Sequence, residues 1–139
     1  SGTGTTQAGL ICGMLIHGGN SEIIGISIAR KNPYGGQVVL NSVNSYLKSV
    51  GREYVTKEVI NFVDDYTLGG YGNYNGDILD TIRNVLIKNG IPLDTTYTGK
   101  AFWGMKEYIK KSQIKGKNIL FIHTGGTPLF FDDLEVLAN

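Results

Sequence analysis

Three short stretches carry residues whose types and spacing suit chemistry. The first is Ser1-Gly2-Thr3-Gly4-Thr5-Thr6, which opens onto an apolar segment beginning at Gln7. Glycines let the chain turn so that successive N–H groups aim at one point, and a helix N-terminus behind them adds a field that favours an anion. A phosphate group is the natural guest. A dinucleotide fingerprint would need a third glycine where Gln7 stands, and a P-loop would need a Gly-Lys-Ser/Thr ending that is absent. The competing reading is an ordinary strand-to-helix turn. The second stretch is a pair of loops holding Tyr71 and Tyr97. A phenol with a pKa of about 10 is a poor base alone, yet beside a cation or a cofactor it can donate, relay or accept a proton. Taken singly, each tyrosine reads more simply as loop packing. The third is Thr124-Gly125-Gly126, a hydroxyl and exposed backbone N–H groups directly after an apolar run. Ligands of open α/β sheets gather at such strand ends.

Metal chemistry has little support. His17 and His123 are far apart in sequence, Cys12 lies within an apolar stretch, and no ligand cluster accompanies them, so both histidines read as structural. The Asp64-Asp65 and Asp132-Asp133 pairs lack an acid or base partner at definable spacing, and loop or cap roles are expected of them.

The elements that must position these residues follow from periodicity. Residues Gln7 to His17 are nearly continuously apolar and stop at Gly18-Gly19-Asn20, which predicts a buried helix. Ile23 to Ile28 is a short β-branched run that suits a strand of a parallel sheet. Val39, Val43, Leu47 and Val50 recur at helical spacing and end at Gly51, predicting an amphipathic helix. Val59 to Val63 has strand character and leads into a loop rich in glycine and tyrosine. Asn75 reads as the N-cap of a helix through Ile78, Ile82, Val85 and Leu86 that Gly90 and Pro92 end. A further helix is expected from about Lys100 to Lys111, and a second apolar strand from Asn118 to His123. Short strands alternating with helices predict an α/β fold with an open, mostly parallel twisted sheet and flanking helices.

Composition narrows the function classes. The chain has 139 residues, 41% hydrophobic and 18% charged, with a net charge of +1. That balance disfavours disorder, coiled coil and a nucleic-acid surface. Its 20 glycines are about twice the usual share, so several backbone positions need positive φ or close approach. The single Cys12 excludes an internal disulfide, no apolar run reaches the roughly 18 residues of a membrane span, and a cytoplasmic protein is expected. No internal repeat or linker is visible. Ser1 opens directly into the glycine-threonine loop with no initiator Met, so a missing beginning is expected.

Four motifs in order, SGTGTTQAGL, GGYGNYN, LDTTYTGKAFWGM and ILFIHTGGTPLFF, resemble the C-terminal half of the pyridoxal-phosphate enzymes D-cysteine desulfhydrase and 1-aminocyclopropane-1-carboxylate deaminase. These have the tryptophan-synthase-β-like fold, and the likeness runs from Ser1 to about Phe131. The resemblance implies that residues 1–139 are the C-terminal portion of the large, cofactor-binding domain. It implies that Gly2, Thr3, Gly4, Thr5 and Thr6 hold the phosphate of pyridoxal 5'-phosphate. Tyr71 and Tyr97 become the two active-site tyrosines, and either Thr98 or Thr124 becomes the partner of the pyridine nitrogen. In the deaminase branch an acid follows the second tyrosine, whereas here the neutral Thr98 does. A hydroxyl supports less carbanion character, which suits α,β-elimination of a small amino acid, D-cysteine above all, better than opening a cyclopropane ring. The Schiff-base lysine of the family lies upstream of the phosphate loop and is absent from this chain. Lys100, just past Tyr97, begins a helix and reads as structural.

Two expectations follow. One is a portion of a pyridoxal-phosphate lyase, inactive alone, that associates with its missing N-terminal half or with another copy through apolar faces left uncovered. The other is a non-catalytic module that binds a phosphate ligand and has shed the chemistry.

Overall fold

The computed structural model describes residues 1–138, which divide into two compact units, Ser1–Asp64 and Asp65 onward. No composition shift or linker marks that boundary in the sequence.

The first unit is built on helix α1 (Thr5–His17), strand β1 (Ile24–Ile26), helix α2 (Tyr34–Ser49) and strand β2 (Asn61–Val63). The strands pair in parallel, Gly25 opposite Phe62. Ser1 extends the ladder on the other side of β1: its N–H donates to Ile26 O, and Ile28 N–H donates to its carbonyl, the two bonds of a parallel neighbour. Each helix buries one stripe. In α2 the buried positions are Gly35, Val39, Val43 and Leu47, four residues apart, and they meet Ala8, Ile11 and Cys12 of α1 over the Phe62 ring. Gly35 is required there, because a Cβ would stand 2.4 Å from the Phe62 ring. Both helices end in hydrogen-bonded turns: Gly18 N–H returns to Met14 O, while Gly51 and Arg52 return to Lys48 and Leu47 in a Schellman closure.

The second unit packs α3 (Gly76–Asn89) on α4 (Thr98–Lys111), with short helices α5 (Thr127–Asp132) and α6 (Leu134–Ala138) beyond. The Asn75 side chain accepts the Ile78 N–H at 3.1 Å, as its N-cap reading anticipates, and Gly90 closes α3 in the left-handed region. Ile78, Ile82, Leu93 and Phe130 form the core, each buried aliphatic side chain contributing about 2 kcal/mol. Arg83 donates to the carbonyls of Val136 and Leu137 and so satisfies the end of α6.

The α/β class and the parallel sense of the sheet hold, but among the described residues the sheet has two strands, with Ser1 alone bonded along the other side of β1. The expected strand from Asn118 to His123 is corrected: the segment has no regular secondary structure and joins no strand ladder among the described residues, its contacts being the Phe121 ring edge to face with Phe102 and His123 Nε2 at 3.1 Å from Pro92 O. Its apolar pattern is that of a strand, yet a ladder needs a partner. Helix α4 also starts earlier than Lys100, at Thr98, and α5 and α6 carry no periodicity long enough to announce them. Among the described residues no helix is long and apolar enough to cross a membrane.

Candidate active site

In the first unit the Gly2–Thr6 loop leaves the sheet edge at Ser1 and enters α1. Gly4 has φ 91°, and a Cβ there would lie 2.8 Å from Val39 Cγ2, so the turn demands glycine on both counts. The first helical bond runs from Ala8 N–H to Gly4 O at 2.9 Å. The N–H groups of Thr5, Thr6 and Gln7 therefore precede the first intrahelical donor, no side chain caps them, and no acid stands in the first turn. The hydroxyls of Thr3 and Thr5 lie 3.2 Å apart, and Thr3, Thr5 and Thr6 are exposed. A set of uncapped N–H groups at a helix N-terminus, with exposed threonines in the same loop, fits a phosphate group. Two side chains hold the loop in shape: Arg30 Nη1 donates to Thr3 O at 2.7 Å, and Gln7 Nε2 donates to Asn61 O on β2 at 2.8 Å.

In the second unit the structure brings Tyr71 and Tyr97 together. Their hydroxyls are hydrogen-bonded to each other, with the rings edge to face at 5.6 Å between centroids. The bond to Tyr71 raises the Tyr97 phenol above its ordinary value, with desolvation and the charge of Asp94 adding to the shift. The Tyr97 phenol therefore keeps its proton to higher pH than a free tyrosine. Tyr71 itself is 62% exposed. It sits on a turn in which Leu68, Gly69, Gly70 and Gly72 all have positive φ.

Tyr97 is placed by a residue that the sequence reading passed over. Asp94 is fully buried, and its carboxylate accepts the N–H groups of Thr96, Tyr97 and Thr98 at 3.0, 2.6 and 2.8 Å, together with the Thr98 hydroxyl at 2.6 Å. It anchors the first turn of α4 as a charge-assisted cap. The available signal was an aspartate four residues before Thr98, at the head of a helix. Gly99 allows the close approach, since a Cβ would meet Asp94 O at 2.5 Å and Ile82 at 2.6 Å.

The two threonine candidates differ sharply. Thr98 is buried, and its hydroxyl both donates to Asp94 Oδ1 and accepts the Asp94 N–H at 3.0 Å. Thr124 is exposed, and no hydrogen bond engages its hydroxyl among the described residues. The chain after Thr124 is drawn to the same cluster: Gly126, at φ 87°, leaves room for Asp94 Oδ1, which a Cβ would meet at 2.2 Å. Asp133, from one of the acidic pairs, accepts the N–H and hydroxyl of Thr95 and so ties the loop before α4 to the end of α5. Lys100 is fully buried, and its ammonium donates to the carbonyls of Gly70 at 2.8 Å and Thr67 at 3.2 Å.

No protein-family model matches the chain. Curated relatives do. Proteins of Pyrococcus furiosus and Pyrococcus horikoshii, both named "Putative 1-aminocyclopropane-1-carboxylate deaminase", are 37% identical over 128 and 127 residues, covering 91% of this chain and 37% and 38% of their own lengths. A Pyrococcus abyssi protein of the same name is 34% identical over 130 residues, covering 94% of this chain and 38% of its own. A solved structure described as the "ACC deaminase homologue" superposes with a TM-score of 0.88 at 33% identity, over 99% of this chain and 41% of that one. The chain thus spans well under half the length of the relatives it matches.

Proposed function

The chain belongs to the 1-aminocyclopropane-1-carboxylate deaminase-like family, and from that premise we propose that it is part of a pyridoxal-phosphate-dependent lyase acting on a small amino acid, with D-cysteine the preferred substrate. The observation that carries the reading is the hydrogen-bonded tyrosine pair, Tyr71 and Tyr97.

The Gly2–Thr6 loop would hold the cofactor phosphate through the N–H groups of Thr5, Thr6 and Gln7 and the threonine hydroxyls. Of the two threonines, Thr124 would meet the pyridine nitrogen, because the Thr98 hydroxyl proton is already given to Asp94. Pyridoxal phosphate, when bound, supplies the electron sink that makes the α-proton of an amino acid removable.

The protein's own part is proton handling. A leaving hydrosulfide must gain a proton to depart as hydrogen sulfide. Two phenols sharing a hydrogen bond, one of them held protonated above its ordinary pKa, form a donor with a relay behind it. Asp94 fixes Tyr97 by its N–H, so the donor is positioned by a buried anchor rather than by a free loop. A neutral hydroxyl at the pyridine nitrogen, Thr124 in this reading, would favour elimination from D-cysteine, with water completing the conversion to pyruvate, ammonia and hydrogen sulfide.

Opening of 1-aminocyclopropane-1-carboxylate is the second reading, favoured by the printed names of the relatives. The test is a product assay on protein that carries both this chain and the Schiff-base lysine expected upstream of it. Pyruvate and sulfide from D-cysteine support the first reading. A four-carbon 2-oxo acid from the cyclopropane substrate supports the second, and neither product, with cofactor bound, contradicts both.

A further inference from the structure

A lysine with no exposed surface is a costly thing to fold around, because its ammonium loses its water. Lys100 shows that cost as an ammonium pushed below its ordinary pKa by burial. The ammonium is met by the carbonyls of Thr67 and Gly70. Those two carbonyls bracket the left-handed part of the turn that ends at Tyr71: Leu68 has φ 52°, Gly69 84° and Gly70 145°. A branched residue such as Leu68 is strained there and needs its surroundings to hold it. The turn's own bonds, Gly70 N–H to Thr67 O and Asn73 Nδ2 to Leu68 O, close it on itself; Leu68 packs on the Ile78 and Ile82 core, and the Thr67 and Gly70 carbonyls are the points at which Lys100 of α4 grips it. Lys100 lies in the first turn of α4, immediately after the residues that Asp94 anchors, and Tyr97 is the residue that opens that helix. One rigid helix therefore carries one tyrosine and grips the turn that carries the other.

We propose that Lys100 is a positioning residue: its ammonium, by holding the Thr67 and Gly70 carbonyls, sets Tyr71 in hydrogen-bonding reach of Tyr97. The catalytic meaning of this rests on the reading of the two tyrosines as the proton-handling pair, but the positioning itself can be measured without cofactor or substrate.

The test uses the 139-residue chain with ring-labelled tyrosine, comparing the native sequence with Lys100→Met by nuclear magnetic resonance. Amide protection in α3 and α4 reports the fold. The expected result is retained protection, loss of the ring-to-ring cross-peaks between Tyr71 and Tyr97, and return of the Tyr97 titration to the ordinary tyrosine range. Retained cross-peaks and an unchanged Tyr97 titration would overturn the proposal. Should Lys100→Met fail to fold, Lys100→Gln carries the same comparison with one amide donor in place of the ammonium; loss of α3 and α4 protection in both variants also overturns it, because the lysine would then be a core support. In the complete enzyme the same substitution is expected to lower kcat about a hundredfold with little change in KM, the mark of a displaced catalytic group. A native enzyme without elimination activity would defeat the functional reading and leave the tyrosine measurement standing.

Discussion

The hydrogen bond between Tyr71 and Tyr97 has a titration signature that no packing contact would give. Because that bond is the largest cause of the raised Tyr97 value, Tyr71→Phe is expected to bring Tyr97 back toward about 10, readable in the pH dependence of its ring carbon resonance. The sign for stability follows from linkage. The folded value lies above the unfolded one, so the contribution is fully present below about pH 10 and is lost as pH rises through the raised value. Native protein should therefore lose stability in that alkaline window more steeply than Tyr71→Phe does. Both tyrosines were legible as candidates, each in its own glycine-containing loop. Their meeting was not, because they lie 26 positions apart and are brought together by non-local features: the turn at Leu68 to Gly70, the grip of Lys100 on it, and the Asp94 anchor. Asp94 itself was hidden by its ordinary look: an aspartate in a loop betrays its burial only once four donors are seen around it.

At the scale of elements, local signals carried and non-local ones did not. Helices α1, α2 and α3 announce themselves through spacing and through Gly18, Gly51, Asn75 and Gly90, all of which act within a few residues of the helix end they mark. The segment from Asn118 to His123 has the apolar, β-branched run of a strand, yet a strand exists only when its N–H and C=O groups find a neighbour. Helix α4 is a sharper case of local control. Its first turn depends on one carboxylate, so Asp94→Ala should strip three N–H groups of their acceptor and orphan the Thr98 hydroxyl. A loss of at least about 2 kcal/mol is expected, from the missing cap and the buried donors left behind. Urea unfolding measures it; a change below about 0.5 kcal/mol, the scale of ordinary surface substitutions, would mean the anchor is dispensable.

For the whole molecule, the side chains Ile119 at 50%, Leu120 at 82% and Ile122 at 42% form an exposed apolar run. Such patches recruit partners. We expect the chain at high concentration to sediment as a species heavier than 15.1 kDa, and Leu120→Asp to reduce that association; a stable monomer would count against it. The four ordered motifs conveyed the family from sequence because they are local strings, while the division into two units at Asp64 left no mark in composition. The central claim is that this family member works through its tyrosine pair. The measurement that tests it most directly is pyruvate release from D-cysteine by the lysine-containing protein, native against Tyr71→Phe plus Tyr97→Phe, with bound cofactor monitored in both. Loss of at least about a hundredfold in rate at unchanged cofactor content is the predicted result; an undiminished rate in the double variant would contradict the account.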